Sequence, residues 1–209
     1  MGRRRSQERK NPPQIKLYTE GETEKIYFDA LRSIVGIKGG ISYSAKQVSK
    51  QGLDLFYYVK RCYTRHNFET SPVKIVLVID KDNTSSEELT TLKSLCEENN
   101  YELVFCNKCF ELWLLLHYER VTRALDAKQL IDKLEHHLSK EYIKTDEKTI
   151  TVISRSYAQA LSNSDHMASI VNNFDINPYT NGHCTHKVRH KKTLLLKSGK
   201  LETGVFCYG

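Results

Sequence analysis

The sequence predicts an α/β protein in which a largely parallel four-stranded sheet is followed by a mainly helical C-terminal portion. Two observations carry this prediction. Over residues 14–106, short apolar runs alternate with segments of helical periodicity, which is typical of β-α-β units with right-handed crossovers. From residue 109 onward, the apolar residues recur mostly at helical spacing instead.

Each predicted strand has its own pattern. Residues 15–19 are short and β-capable, and residues 101–106 form a second apolar run. Residues 73–79 are apolar throughout and rich in β-branched side chains, which indicates a central parallel strand that is covered on both faces. A weaker strand is predicted at residues 41–44.

Three helices are predicted between these strands. In residues 22–35 the apolar side chains recur at helical spacing and glycines end the pattern. Residues 53–63 show the same periodicity. Residues 84–88 resemble an N-cap with acids in the first turn, so we expect a helix that begins there and runs to about residue 99.

The second half of the chain is expected to be helical at residues 110–118, 127–139 and 157–174, whereas residues 142–151 have no clear pattern. The sequence therefore suggests three parts. These parts are a basic arm over residues 1–13, an α/β core over residues 14–120, and a helical cap with a basic tail, packed on the core, over residues 121–209.

The composition predicts a cytoplasmic protein that attracts polyanions. The 209 residues carry a net charge of +7. No apolar run approaches the roughly 18 residues of a membrane span, and no apolar stretch follows the N-terminal arginines as a secretory signal would require. Basic runs are often only solvated surface, but they also attract phosphates. The candidate nucleic-acid-binding residues are Lys81, Lys187, Arg189, Lys191 and Lys192.

Acidic residues follow two of the predicted strands. Glu20 and Glu24 come after the first strand, and Asp80 and Asp82 come after the third. Because the carboxyl ends of parallel strands meet at one edge of a sheet, we expect these acids to share a crevice. Carboxylate oxygens suit Mg²⁺ or Mn²⁺, and one or two ions are expected. A divalent-metal site on a basic chain suggests chemistry on a polyanion.

Simpler roles remain open for the same residues. Acids in the first turn of a helix complement its dipole, which accounts for Glu22 and also for Glu24, but not for Glu20. Asp80 and Asp82 have the alternative of ending their strand in an Asx-turn.

Glu111 is a fifth candidate metal ligand. It lies among apolar residues that must be core, where an acid is costly unless it is paired or bound to metal. Backbone N–H groups of the first helical turn are its alternative partners. We expect His117 to be a satisfied core histidine. Gly21 is expected to permit a turn that a residue with a Cβ would resist.

A family resemblance rests on three segments of the chain, which are residues 19–28, 78–82 and 107–117. They resemble the RloB-like proteins, phage-defence proteins whose core is related to the Toprim domain. The resemblance covers residues 1–118 and extends loosely through residues 177–180. Two departures stand out: Lys108 replaces a proline that is usual in the family, and the tail beyond Lys187 is not matched.

The resemblance implies a Toprim-like fold and metal-dependent cleavage of nucleic acid. Related Toprim nucleases bind Mg²⁺ through a Glu beside Gly, a second Glu four residues on, and a DxD. Carried over, these catalytic and metal-binding residues are Glu20, Glu24, Asp80 and Asp82, with Glu111 resembling a further acid. Such proteins are often encoded beside an ABC- or SMC-type ATPase, which is the implied partner besides nucleic acid.

Three functions are therefore considered. The leading hypothesis is a metal-dependent nuclease that cuts DNA or RNA as the effector of an anti-phage defence system, with a lysine of the basic tail neutralising transition-state charge. The alternative is a non-catalytic Toprim-like sensor or adaptor that binds a partner ATPase or a phage component. The third is another phosphoryl-transfer enzyme, such as a nucleotidyl transferase. The sequence leaves a homodimer open.

Overall fold

The computed structural model of the chain describes residues 13–36, 42–69, 71–80, 84–106, 109–172, 195–197, 200–202 and 207–208. Its body is an all-parallel sheet in the order β2-β1-β3-β4. The four strands are β1 (Gln14–Thr19), β2 (Ser42–Gln47), β3 (Val73–Asp80) and β4 (Glu102–Cys106). The predicted α/β class, with a four-stranded parallel sheet, is confirmed.

Seven helices accompany the sheet in the described ranges, and they are α1 (Glu22–Val35), α2 (Gly52–Cys62), α3 (Ser86–Glu98), α4 (Glu111–Leu115), α5 (Ala127–Leu138), α6 (Glu147–Ser154) and α7 (Tyr157–Asn172). Helix α4 is shorter than predicted, because residues 116–118 continue it only as a turn. Helix α6 lies partly in the stretch that had no clear pattern. Its N-cap is Asp146, whose side chain accepts a hydrogen bond from the backbone N–H of Lys148.

Three short strands near the C-terminus were not predicted. Strands β5 (Leu195–Lys197) and β6 (Lys200–Glu202) form an antiparallel pair, and β7 (Cys207–Tyr208) pairs in parallel with the outer side of β4. Segments of two or three residues are too short to show a period in the sequence. Strand β7 thus adds a fifth, very short strand to the edge of the central sheet.

Helices cover both faces of the sheet, and β3 shows how the sequence specifies this. Its side chains alternate between two apolar clusters: Ile75, Leu77 and Ile79 face α2 and α3, whereas Val76 and Val78 face the cluster that includes α1 and α4–α7. All five are at most 1% exposed. A strand that is apolar at every position is required here, because neither face meets water.

The order of the strands makes the boundary between β1 and β3 the topological switch point of the sheet. The chain leaves β1 for β2 on one side and later returns to pair β3 with the other side of β1. Ligands of open α/β sheets bind at such a switch point, beyond the carboxyl ends of the strands. Thr19 pairs with Val78, so β3 extends two residues further and ends at Asp80. Glu20 and Asp80 therefore lie together at the carboxyl ends of β1 and β3, at this switch point.

Among the helices that the structure describes, none combines the length and the apolar character that crossing a membrane requires.

His117 is a core histidine that the structure satisfies on both ring nitrogens. Its Nδ1 lies 2.9 Å from the Trp113 carbonyl and its Nε2 lies 3.0 Å from the Tyr27 hydroxyl. Because a carbonyl only accepts, Nδ1 carries the proton and Nε2 accepts from the tyrosine. Burial lowers the pKa of His117 from 6.5 to about 4. The histidine is therefore neutral and structural, as its place in an apolar segment suggested.

This buried histidine should make the protein less stable in mild acid. Between pH 6.5 and about 4 the unfolded chain binds a proton that the folded chain refuses, so stability falls as the pH falls through that window. Between pH 6.5 and pH 5 we expect the free energy of unfolding to fall by about 2 kcal/mol more in the wild-type protein than in His117→Gln. This figure follows from the ~1.4 kcal/mol that each pKa unit represents. Urea unfolding at the two pH values measures the difference, and equal losses in the two proteins would contradict it.

Candidate active site

The Glu20 carboxylate joins three elements at the switch point. Its Oε1 accepts a hydrogen bond of 2.7 Å from the backbone N–H of Gly52, and its Oε2 accepts one of 3.2 Å from the backbone N–H of Asp80. Its own backbone N–H continues the ladder to Val78 at 3.3 Å. Glu20, which follows β1, is thus held against both the first residue of α2 and the last residue of β3.

Helix α2 is capped by acids from other elements. Its own N-cap residue, Gln51, makes no side-chain capping bond. Glu20 takes the N–H of Gly52, and Oε1 of Glu88 accepts from the N–H of Leu53 at 3.2 Å. Carboxylates at a helix N-terminus are favoured by the unpaired N–H groups and by the helix dipole. The position of Glu20 is therefore fixed by a requirement of the fold.

Glu24 is a buried carboxylate in the first turn of α1, with 5% of its surface exposed. Its Oε2 is buried and accepts no hydrogen bond from any described group. The pKa of Glu24 is raised from 4.5 to about 6, first by burial and then by the negative charges of Glu111 and Glu20, against the opposing effects of its own backbone N–H and of Lys144. Glu22 lies in the same turn and is exposed, so complementing the dipole does not account for the burial of Glu24.

Gly21 has a different role from the one that was expected. Its backbone is extended, with φ −103° and ψ 164°, and any residue adopts that conformation. A Cβ at this position, however, would overlap Oε2 of Glu24. The expectation of a glycine-specific turn was therefore wrong, and the glycine instead leaves the space that the buried carboxylate occupies.

Glu111 approaches the same acids from the other side, at the start of α4. It is 3% exposed, and its Oε1 forms an ion pair of 2.9 Å with Nζ of Lys144. Partial burial alone would lower the pKa of Lys144, but its hydrogen bond to Glu111 and the negative charges around it, with that of Glu111 first, together outweigh this effect and raise the pKa. A buried acid beside a permanently charged lysine satisfies the pairing that the sequence required of Glu111.

Lys144 is a site residue that the sequence pattern did not reveal. It lies in the stretch without a clear pattern, and its carbonyl accepts a 2.9 Å hydrogen bond from the Thr23 hydroxyl in the first turn of α1. Thr23 and Lys144 are separated by 121 positions, so only the fold brings them together. The side chain of Lys144 is 61% exposed, which leaves the ammonium open to solvent while Glu111 holds it.

Two further groups show how strongly negative this region is. Burial, and then the charge of Glu111, raises the pKa of the Cys109 thiol to about 12. Burial raises the pKa of Tyr142 as well, followed by the charges of Glu111 and Glu24. Both groups therefore stay protonated near neutral pH, and neither acts as a nucleophilic anion.

The chemistry of the acids fits a hard divalent cation. Their donors are carboxylate oxygens, and Oε2 of Glu24 is a buried acceptor that a cation would satisfy. In the part of the chain that the structure describes, no group of three or more His, Cys, Asp or Glu side chains is placed to hold a metal ion. Asp82, the fourth acid that was predicted to bind metal, lies outside that part.

Other predicted site residues also lie outside the described ranges. These are the candidate nucleic-acid-binding residues Lys81, Lys187, Arg189, Lys191 and Lys192. The structure thus brings together Glu20, Glu24, Glu111 and the end of β3 at Asp80, and it adds Lys144.

Fold and site together define a class: an α/β protein with buried carboxylates at the switch point of a parallel sheet. A comparison with protein families identifies one family within this class. The RloB-like protein family model matches residues 15–185, which is most of the chain. The chain therefore belongs to the RloB-like family, as its three sequence segments suggested. No curated protein and no solved structure gives a significant match.

Neutralising Glu24 should stabilise the folded protein at neutral pH. Because its folded pKa of about 6 exceeds the ordinary 4.5, the native chain binds this proton more tightly than the unfolded chain does. The cost of the buried charge is thus fully present above pH 6 and disappears as the pH falls through 4.5. We expect Glu24→Gln to increase the free energy of unfolding by up to about 2 kcal/mol at pH 7.5, and to change it little at pH 4.5.

Urea unfolding at both pH values measures this gain. Glu22→Gln is the matched control, because Glu22 lies in the same helical turn but is exposed, and we expect it to lose a few tenths of a kcal/mol with the dipole interaction. A Glu24→Gln protein that is less stable than wild type at pH 7.5 would show that the carboxylate is a net stabiliser.

Gly52 should tolerate alanine poorly. It has φ +46°, and a Cβ there would lie 2.5 Å from Oε1 of Glu88, which caps the same helix. Gly36 is the matched control, since it has φ +65° and nothing within 4 Å of its Cβ position. We expect Gly36→Ala to cost about 1 kcal/mol for the backbone alone, and Gly52→Ala to cost clearly more. Thermal unfolding compares the stability of the two variants. Equal losses of stability would show that the Glu88 contact adds nothing to the cost at Gly52.

Proposed function

We propose that this RloB-like protein is a metal-dependent nuclease that hydrolyses phosphodiester bonds of DNA or RNA with Mg²⁺ or Mn²⁺. The observation that carries the proposal is Glu24, a buried carboxylate whose Oε2 accepts no hydrogen bond from the described residues and whose neighbours Glu111 and Glu20 are also acids. Proteins concentrate carboxylates with a raised pKa in this way where a cation or a reacting group is to be bound.

The residues that would hold the metal are Glu20, Glu24 and Asp80, together with Asp82 and with Glu111 as a further ligand. One or two ions are proposed. When bound, such an ion supplies Lewis-acid polarisation of a phosphoryl oxygen. The fold contributes position, because Glu20 is fixed by the N–H groups of Gly52 and Asp80 before any ligand arrives.

Lys144 supplies a positive charge at the rim of the acids. Its Nζ is held by Glu111 at 2.9 Å, and its side chain is largely exposed, so a phosphate that approaches the acids meets this ammonium. A fixed cation stabilises the extra negative charge of a phosphoryl transition state. We assign to Lys144 the role that the sequence had suggested for a lysine of the basic tail.

Glu24 is suited to hold or release a proton near neutral pH. With a pKa of about 6 it is partly protonated in mild acid and mostly ionised at pH 7.5. A carboxyl group in that range is an effective general acid or base, provided that it reaches the reacting group. Binding of a cation at Glu24 requires the ionised form, so the two roles are alternatives.

The wider setting is proposed on the resemblance alone. A relationship to the Toprim domain, a role as effector in anti-phage defence and partnership with an ABC- or SMC-type ATPase agree with membership of the RloB-like family. The parallel sheet, with acids after β1, in the first turn of α1 and at the end of β3, supports the Toprim relationship.

Purified protein should cleave plasmid DNA or total tRNA when Mg²⁺ or Mn²⁺ is added, and chelation should stop it. We expect Asp80→Asn to reduce cleavage at least about 100-fold and Lys144→Ala to reduce it about 100- to 1,000-fold, the range that loss of a transition-state contact gives. Rates are measured on gels under single-turnover conditions, after circular dichroism has shown that each variant is folded.

Two matched controls accompany these variants. Asp132→Asn and Lys148→Ala change exposed residues of α5 and α6, and we expect both to cleave like wild type. Cleavage that survives Asp80→Asn would place the activity elsewhere. A folded wild-type protein that neither cleaves nor binds Mn²⁺ in calorimetry would favour the non-catalytic sensor or adaptor instead.

A further inference from the structure

A concavity opens beside Glu20, and neither Glu24 nor Glu111 belongs to its lining. It has a volume of about 510 Å³ and lies where β2 ends and α2 begins. Its wall is formed by Glu20, Gln47, Ser49, Lys50, Gln51 and Asp54. This volume falls within the roughly 300–1,000 Å³ of small-molecule sites in proteins. We call this concavity the β2–α2 cleft, and it shares the Glu20 wall with the candidate active site.

The lining of the β2–α2 cleft is unusually polar for a pocket of this size. It offers two carboxamides, a hydroxyl and an ammonium, beside the carboxylates of Glu20 and Asp54. Carboxamides pair with the edges of bases, and a lysine attracts a phosphate as a point charge. This combination matches the two ends of a nucleotide.

The Gln51 side chain makes no capping hydrogen bond to the described residues of α2. It occupies the N-cap of α2, where a side chain normally accepts a backbone N–H, but it makes no such bond. The acids Glu20 and Glu88 satisfy that helix end in its place. Gln47 differs, because its Nε2 donates to the Glu20 carbonyl at 3.3 Å and so supports the wall itself.

Basic and aromatic side chains continue from the cleft along α2. Nζ of Lys46 donates to the Tyr58 hydroxyl at 2.8 Å and lies 5.4 Å from the centre of that ring. Tyr57 is 49% exposed, and Lys60 and Arg61 are also exposed. Positive charge interleaved with aromatic rings is the usual surface for single-stranded nucleic acid, whose bases stack on the rings while its phosphates meet the cations.

We propose that the β2–α2 cleft is a nucleotide subsite, which binds one unstacked nucleotide of a single strand whose neighbouring phosphate lies at Glu20 and Asp80. This inference rests on the proposed nuclease function and adds the form of its substrate. A concave site takes a base that is free of its stack, whereas a duplex keeps its bases stacked and paired. Gln51 and Ser49 contact the base, and Lys50 contacts the phosphate.

The test measures binding without cleavage. Fluorescence anisotropy of labelled single-stranded DNA, single-stranded RNA and duplex DNA of about 12 nucleotides is recorded with the full chain in EDTA, over a series of salt concentrations. We expect either single strand to bind more tightly than the duplex. The tighter of the two single strands identifies the sugar of the substrate.

Variants of the cleft should separate charge from base contacts. Lys50→Ala is expected to weaken binding about 3- to 10-fold and to reduce the slope of log K against log salt by about 0.7, as loss of one phosphate contact to a single strand does. Gln51→Ala should weaken binding with no change of slope, since an amide carries no charge. Asp54→Asn should tighten binding, because it removes a negative charge from the wall.

Lys128→Ala is the matched control, because Lys128 is an exposed lysine of α5 outside the cleft, and it should bind like wild type. The proposal is overturned if the wild-type chain binds no single strand, if it prefers the duplex, or if Lys50→Ala and Gln51→Ala both bind as wild type does.

Cleavage assays distinguish the nucleotide subsite from the nuclease function. If Lys50→Ala and Gln51→Ala both cleave a duplex at the wild-type rate, the subsite is contradicted and the nuclease function stands. If the protein binds a single strand through Lys50 but cleaves no nucleic acid, the subsite stands and the nuclease function is contradicted.

Discussion

The Glu20 carboxylate is the constraint on which the rest of the site depends. It accepts hydrogen bonds from the first residue of α2 and from the last residue of β3, while its own backbone continues β1. A helix whose N-cap side chain makes no capping bond needs such an acceptor. Glu20 is therefore a structural residue and a candidate ligand at once. A substitution of Glu20 alters the fold as well as the chemistry, so Asp80 and Lys144 give a cleaner view of function.

The two buried acids near Glu20 lower the stability of the folded protein. Glu24 and Glu111 are both buried, and each disfavours the charge of the other. Lys144 offsets part of this repulsion through Glu111, but the described residues give Oε2 of Glu24 no hydrogen bond. A fold optimised only for stability would place neutral side chains here. Sites at which local rules are broken in this way are the ones that function accounts for best.

Much of this arrangement was predictable from the chain itself. An apolar run such as residues 73–79 is buried on both faces only in a parallel sheet, and acids that follow such runs must meet at one edge. Gly21 and Lys144 were not predictable. The space that Gly21 leaves is used by Glu24, three residues away, whereas the sequence suggested a turn. Lys144 meets Glu111 and Thr23 through contacts that leave no local pattern.

The sequence by itself determined the alternation of β1–β4 with α1–α3 along the chain and which acids follow the strands, because periodicity and strand-end residues are local properties. The tertiary structure decided which groups surround those acids: the N–H groups of α2 around Glu20, the ammonium of Lys144 beside Glu111, and the polar cleft between β2 and α2. These neighbours come from distant parts of the chain, and their distances and burial exist only once the sheet has formed.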